Sequence, residues 1–275
     1  MEFFQTLHRL LSTHDLREKA EGVDRLLDYC STRSPKAPEG FEPERFAEPS
    51  YAPICRIVPP RELPRRKGFS TPEGLAVLVH AIVHIEYSAI DLALDAVYRF
   101  GSVMPVEFSV DWLEVAREEI RHFEMLERIL KNLGSHYGAY PVHRGLFDAA
   151  RHTDGDVLER MAVIPRHYEA TGLDVNPQIM EKLRPHAAKS SDAAELLEAL
   201  ELIYREEIDH VRKGDRWFRY CCTQRGLDPA ETFAGILRRY ALLKKDRGRL
   251  NISARMEAGF HCPDLRVLGV KDCED

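Results

Sequence analysis

One pattern of charged residues occurs twice in this chain, each time inside apolar stripes of helical period. His84-Ile85-Glu86 precedes Asp91, and His167-Tyr168-Glu169 precedes Asp174. Each is followed by a charged stretch ending in Glu-x-x-His, Arg-Glu-Glu-Ile-Arg-His at 117–122 and Arg-Glu-Glu-Ile-Asp-His at 205–210. Around Glu86 the stripe is Val79, Val83, Ile90, Ala93 and Val97. Trp112, Val115, Leu126, Leu130 and Leu133 continue the line of Glu119 and His122. Leu196, Leu200, Ile203, Gly214, Trp217 and Cys221 do the same for Glu207 and His210. Steps of three and four place each set on one helix face. Four carboxylates and two imidazoles therefore stand where apolar side chains belong.

Charges in a core must be neutralised, because an isolated buried carboxylate costs several kcal/mol even after relaxation. Two divalent ions would supply four positive charges to Glu86, Glu119, Glu169 and Glu207, with His122 and His210 completing the set. The three-residue spacing turns both side chains of each Glu-x-x-His toward one interior site. The order Glu, Glu-x-x-His, Glu, Glu-x-x-His is the ligand arrangement of ferritin-like di-iron and di-manganese bundles. Solvated helix faces are the competing reading. It is weakened in the second helix, where Glu118, Arg121, Glu124 and Arg128 already provide a polar face.

Strand signals are nearly absent, so an all-α fold is expected. Residues 3–32 read as helix broken near Ser12-Thr13-His14-Asp15, with Thr13 or Asp15 as cap. Residues 33–72 are proline-rich and extended, with Phe41, Phe46, Tyr51, Ile54, Ile57 and Val58 as apolar anchors on a preformed core. Ser70-Thr71-Pro72-Glu73 starts a helix that runs to about Phe100. A second opens at Ser109 or Asp111 and ends near Leu133. A third covers about 154–171 with Pro165 inside it and Gly172 and Pro177 beyond. Ser191-Asp192 starts a fourth that reaches Cys222, and a fifth spans about 230–246 before an irregular tail. Residues 1–69 form an N-terminal packing segment, and 70–275 a helical bundle with a C-terminal helix.

The segments HAIVHIEYSAIDLALDAVYRF, DWLEVAREEIRHFEML, RMAVIPRHYEATGLDVNP, EEIDHVRKGDRWF and NISARMEAGF resemble the bacterial DUF455 family over about residues 10–270. That resemblance implies a ferritin-like four-helix bundle. The wider superfamily contains rubrerythrins, ferritins, monooxygenase subunits and a tRNA-modifying hydroxylase. It implies two iron ions, or manganese, or one of each. The glutamates of the two Glu-x-x-His motifs would bridge them. The implied activity is an oxidoreductase that activates dioxygen or peroxide on a small-molecule substrate, served by an electron-donor protein. The alternative is a ferroxidase or non-catalytic metal-handling protein. The rubredoxin-type cysteine site of rubrerythrin is missing, and Pro165 stands one turn before Glu169.

With 275 residues and a net charge of −6, the chain has no long-range attraction for nucleic acid or anionic membrane. Nucleic acid is not the expected partner, although a tRNA-borne substrate and a homodimer both stay open. No run approaching 20 apolar residues is evident, and a cytoplasmic location is expected. The six cysteines read as buried or incidental thiols rather than a disulfide scaffold. His84 and His167 read as supporting residues, and Asp91 and Asp174 as candidate hydrogen-bond partners for ligand imidazoles. Tyr87, Tyr168 and Tyr204 beside the ligands read as packing, with a redox role as the other choice. Arg65-Arg66-Lys67 with Arg61 reads as a solvated loop. Asn251 and Arg255 belong either to a cap or to a substrate contact.

Overall fold

A computed structural model describes residues 3–65, 68–243 and 250–274. It is all-α. Among the described residues the β pairing is an isolated parallel bridge between Ile57 and Val142. The chain divides into two compact units, Met1–Arg151 with Leu183–Ala199, and His152–Lys182 with Leu200–Asp275.

In the first unit, α1 (Phe3–Ser12) and α2 (Leu16–Thr32) are joined at Asp15, whose carboxylate accepts from the amides of Arg17 and Glu18. That satisfies two amides with no partner inside the helix and sharpens the break. Gly22 lets Leu10 approach closely, since a Cβ there would lie 2.5 Å from a Leu10 methyl. Helix α3 (Pro72–Phe100) starts with Thr71 accepting from the Gly74 amide and Pro72 in the first turn. It packs along α4 (Val106–Asn132). Helix α4 opens earlier than Ser109 or Asp111, because Pro105 takes the cap position and both polar residues are buried inside the helix. Val79, Val83, Ile90, Val97, Leu126 and Leu130 are fully buried. Each contributes roughly 1.5–3 kcal/mol of apolar burial. By length and composition α3 could cross a membrane, contrary to the reading of the sequence, but its apolar stretch is mostly buried in the protein.

Among the described residues of 33–71 the chain is irregular apart from the bridge at Ile57 and a 3₁₀ turn at Pro60–Glu62. Tyr51 is a buried anchor, whereas Ile54 is exposed. Between the second and third helices read from the sequence stands a further one, α5 (Gly145–His152). Of the basic run, Arg66 and Lys67 lie outside the described residues.

Helices α7 (Ala170–Ala187) and α8 (Ser191–Arg225) are divided between the units. The second unit begins with α6 (Val157–Val163), capped by Asp156. A π-helical stretch, Ile164–Glu169, follows and leads directly into α7. The third predicted helix therefore does not stop near residue 171, and Gly172 and Pro177 lie inside α7. Helix α9 (Pro229–Arg239) is capped by Asp228 and ends before 246, although residues 244–249 lie outside the described residues. The tail is not wholly irregular, since it holds α10 (Ile252–Glu257) and α11 (Cys262–Val267). Cys262 and Cys273 are joined by a disulfide, which corrects their reading as thiols. Cys30, Cys55, Cys221 and Cys222 are buried and free.

Candidate metal site

Helix α3 supplies Glu86, and α4 supplies Glu119 and His122. Their relative exposures are 5%, 1% and 0%, so all three are cut off from water. One ligand atom from each lies within 4.8 Å of the others. His122 Nδ1 stands 3.3 Å from Glu119 Oε2 and 3.3 Å from Glu86 Oε2. Burial alone would lower the imidazole pKa. Hydrogen bonds and charge from the two carboxylates overcome it and push His122 up to about 11. In the metal-free protein His122 is thus an imidazolium held between two carboxylates. This group could hold a metal ion. Two carboxylates and an imidazole are hard oxygen and borderline nitrogen donors, the set that suits iron or manganese.

In the second unit, Glu207 and His210 sit one turn apart on α8, with His210 Nδ1 3.3 Å from Glu207 Oε1. His210 is fully buried and Glu207 half-buried. Glu169 is half-buried and is the last residue of the π stretch. Pro165 lacks an amide hydrogen and cannot close an ordinary α-helical bond, which favours the widened turn at this point. Gly214, one turn past His210, makes room for it. A Cβ there would lie 2.1 Å from Pro165 Cβ.

The residues flanking the ligands have other tasks. His84 Nδ1 lies 3.0 Å from the Tyr137 hydroxyl, and its Nε2 lies 2.8 Å from the His143 carbonyl. Asp91 and Asp174 do not hold ligand imidazoles in their resolved bonds. Asp91 receives the fully buried Lys19 at 2.8 Å and the Ser50 hydroxyl at 2.6 Å. Asp174 receives a two-pronged ion pair from buried Arg255 at 3.0 and 2.6 Å, and the Asn251 amide at 2.8 Å. Arg255 is therefore a buried tie, and Asn251 also reaches the Tyr204 hydroxyl. Lys19 and Arg255 carry no local motif that predicts these roles, since each partner lies more than 70 residues away in sequence. Asp209 bonds Arg212 near the surface.

A buried ion-pair ring supports the π stretch. Arg166 faces Asp215 and Asp264 at 3.0 Å each, and Arg219 also pairs with both aspartates. The Arg166 guanidinium lies against Phe218, Phe233 and Phe260 at 4.3, 4.3 and 4.7 Å. Burial acts to raise Asp264, and the two arginines with the His261 amide bring it below the usual carboxylate range.

The profile of a family described as a protein of unknown function, DUF455, matches residues 12–266. An uncharacterized protein of Haemophilus influenzae is 37% identical over 270 residues, which cover 94% of this chain and 91% of that protein. No solved structure matches the chain.

Proposed function

We propose, from the premise that this chain belongs to the DUF455 family, that it is an oxidoreductase with a carboxylate-bridged pair of metal ions. Iron is the preferred metal, with manganese or a mixed pair as variants. The ligands are those the resemblance to ferritin-like bundles implies, Glu86, Glu119 and His122 of the first unit and Glu169, Glu207 and His210 of the second. The observation that carries the reading is the buried convergence of Glu86, Glu119 and His122, repeated in sequence by Glu169, Glu207 and His210. Buried carboxylates at such density are neutralised by metal more readily than by one imidazolium. Six protein ligands leave coordination positions open, and open positions distinguish a catalytic metal from a structural one.

When bound, such a pair supplies one-electron chemistry toward dioxygen or peroxide. The chain's own part is to hold, orient and exclude water. His122 gives up the proton it shares with Glu86 and Glu119 when its ring becomes a ligand. Tyr87 and Phe123, each next in sequence to a ligand, are buried and in edge contact at 5.6 Å. The substrate is a small molecule, and an electron-donor protein is expected.

Elemental analysis of iron-reconstituted protein should give about two ions per chain, and one or none would overturn the dinuclear reading. Stopped-flow mixing of the reduced, iron-loaded protein with oxygenated buffer should then give an absorbance change faster than in a Glu119→Ala control. Two ions without that change would leave a metal-handling protein in place of an enzyme.

A further inference from the structure

Where α1, α3 and α5 meet the extended segment, the first unit holds a cavity of about 40 Å³, room for roughly three water-sized groups. Leu11, Phe46, Leu92 and Phe147 give it apolar walls. Among the described residues that line it, none is one of the six candidate ligands. Its polar atoms divide unevenly. The acceptors are taken: Asp91 receives Lys19 at 2.8 Å and the Ser50 hydroxyl at 2.6 Å, and Asp95 receives Arg99 at 2.8 Å. Glu48, also in the lining, pairs with Arg144 at 2.9 Å. Two donors are left over. The Arg151 Nε–H is buried and meets no acceptor, and among the described residues no carboxylate pairs with that guanidinium. The side chain is nonetheless fixed: the Arg151 carbonyl accepts from Arg45 at 2.8 Å, and the guanidinium lies over the Phe147 ring at 5.8 Å. Tyr51 is 1% exposed, and its hydroxyl is unmet as well. Ser88 stands beside that hydroxyl, but it gives its own hydrogen to the His84 carbonyl at 2.8 Å, and the contact lacks hydrogen-bond geometry.

We propose that this cavity is a binding site for a small monocarboxylate, of the size of formate or acetate, held by the Arg151 guanidinium and the Tyr51 hydroxyl. A buried donor left unmet costs the full desolvation of that group. Water would bring in as many donors as acceptors. A carboxylate brings acceptors alone, together with the charge opposite to that of arginine. Asp91, Asp95 and Glu48 are offset by Lys19, Arg99 and Arg144, so Arg151 is the cation in excess. The carboxylate accepts from Arg151 Nε and Tyr51 Oη, and the short alkyl end of the ligand rests against the apolar walls. The small volume sets the upper limit of size, and an aromatic acid such as benzoate exceeds it. No metal takes part.

The test is isothermal titration calorimetry of the full-length protein, iron-loaded and metal-free, with sodium acetate, formate, benzoate and chloride at one ionic strength. Acetate and formate should give saturable heats in both forms, and benzoate and chloride none. Arg151→Met, which keeps the length of the side chain and removes its charge, should weaken acetate by at least about tenfold, and Tyr51→Phe should weaken it less. A second measurement needs no variant that might misfold: in a ¹⁵N–¹H spectrum of wild type, the Arg151 Nε–H signal should shift on adding acetate and saturate at the calorimetric Kd. No saturable heat from either small acid, equal heat from chloride, or acetate binding only to the iron-loaded form would each overturn the proposal. So would an unchanged affinity in Arg151→Met, or an Arg151 signal that stays fixed while acetate binds.

Discussion

His122 shows how a single residue reports on the site. In the metal-free protein its pKa is about 11, raised from 6.5 by the two carboxylates that overcome burial. A raised folded-state value contributes stability that is fully present below the unfolded pKa and lost as pH climbs through the folded one. Metal-free protein should therefore lose stability progressively as pH rises from 6.5 through about 11. The Glu86→Leu/Glu119→Leu variant should lose much less over that range, and urea unfolding at each pH measures both. The single variant Glu119→Leu leaves one imidazolium beside one carboxylate, so its metal-free melting temperature should equal or exceed wild type. Its metal-induced rise in melting temperature should vanish. A large drop in the metal-free melt would argue that Glu119 holds the fold without metal. Much of this was legible beforehand: Glu86, Glu119 and His122 interrupt apolar stripes at helical spacing, which predicts burial together. That Asp91 serves Lys19 and Asp174 serves Arg255 was not legible, because a pairing over 70 residues leaves no periodic trace.

At the scale of an element, Glu169 stands at the end of a π stretch, Ile164–Glu169, that contains Pro165. Sequence marks Pro165 as a disturbance but not its kind. A kink, an early helix end and a widened turn all follow from a missing amide hydrogen. The signal that separates them is Gly214, which stands on a different helix and touches the Pro165 ring. The caps at Asp15 and Thr71 were readable because each acts within three residues. Gly214→Ala would put a methyl into Pro165 and force α8 away from the π stretch. Overpacking of this kind typically costs about 1–3 kcal/mol. The variant should lose stability in that range by chemical denaturation while remaining helical by circular dichroism. Its iron content should fall more than that of Gly172→Ala, whose added methyl meets no neighbouring atom. Equal iron retention in the two variants would disconnect the Pro165–Gly214 contact from the ligands.

Across the whole molecule, the two halves of the sequence repeat use the same device with different material. Each conserves an aspartate five residues after its glutamate, and each aspartate is neutralised by a buried cation from outside the repeat, Lys19 from the N-terminal helices and Arg255 from the C-terminal tail. Both termini are thereby tied into the unit they belong to. Removing the cation alone leaves a buried carboxylate without its partner, a change worth about 3–5 kcal/mol. Removing both charges together is close to neutral when the replacements fill the same volume. Lys19→Met and Arg255→Met should therefore each be strongly destabilised. Lys19→Met/Asp91→Leu and Arg255→Met/Asp174→Leu should recover most of the loss. Urea unfolding through two double-mutant cycles measures the coupling directly. The Arg255 cycle should recover less, because Asp174 also receives the Asn251 amide and its loss leaves that donor unmet, whereas the Ser50 hydroxyl freed from Asp91 can still turn to Tyr87. Double variants no more stable than the single cation removals would mean that Asp91 and Asp174 hold their units by something other than these charges.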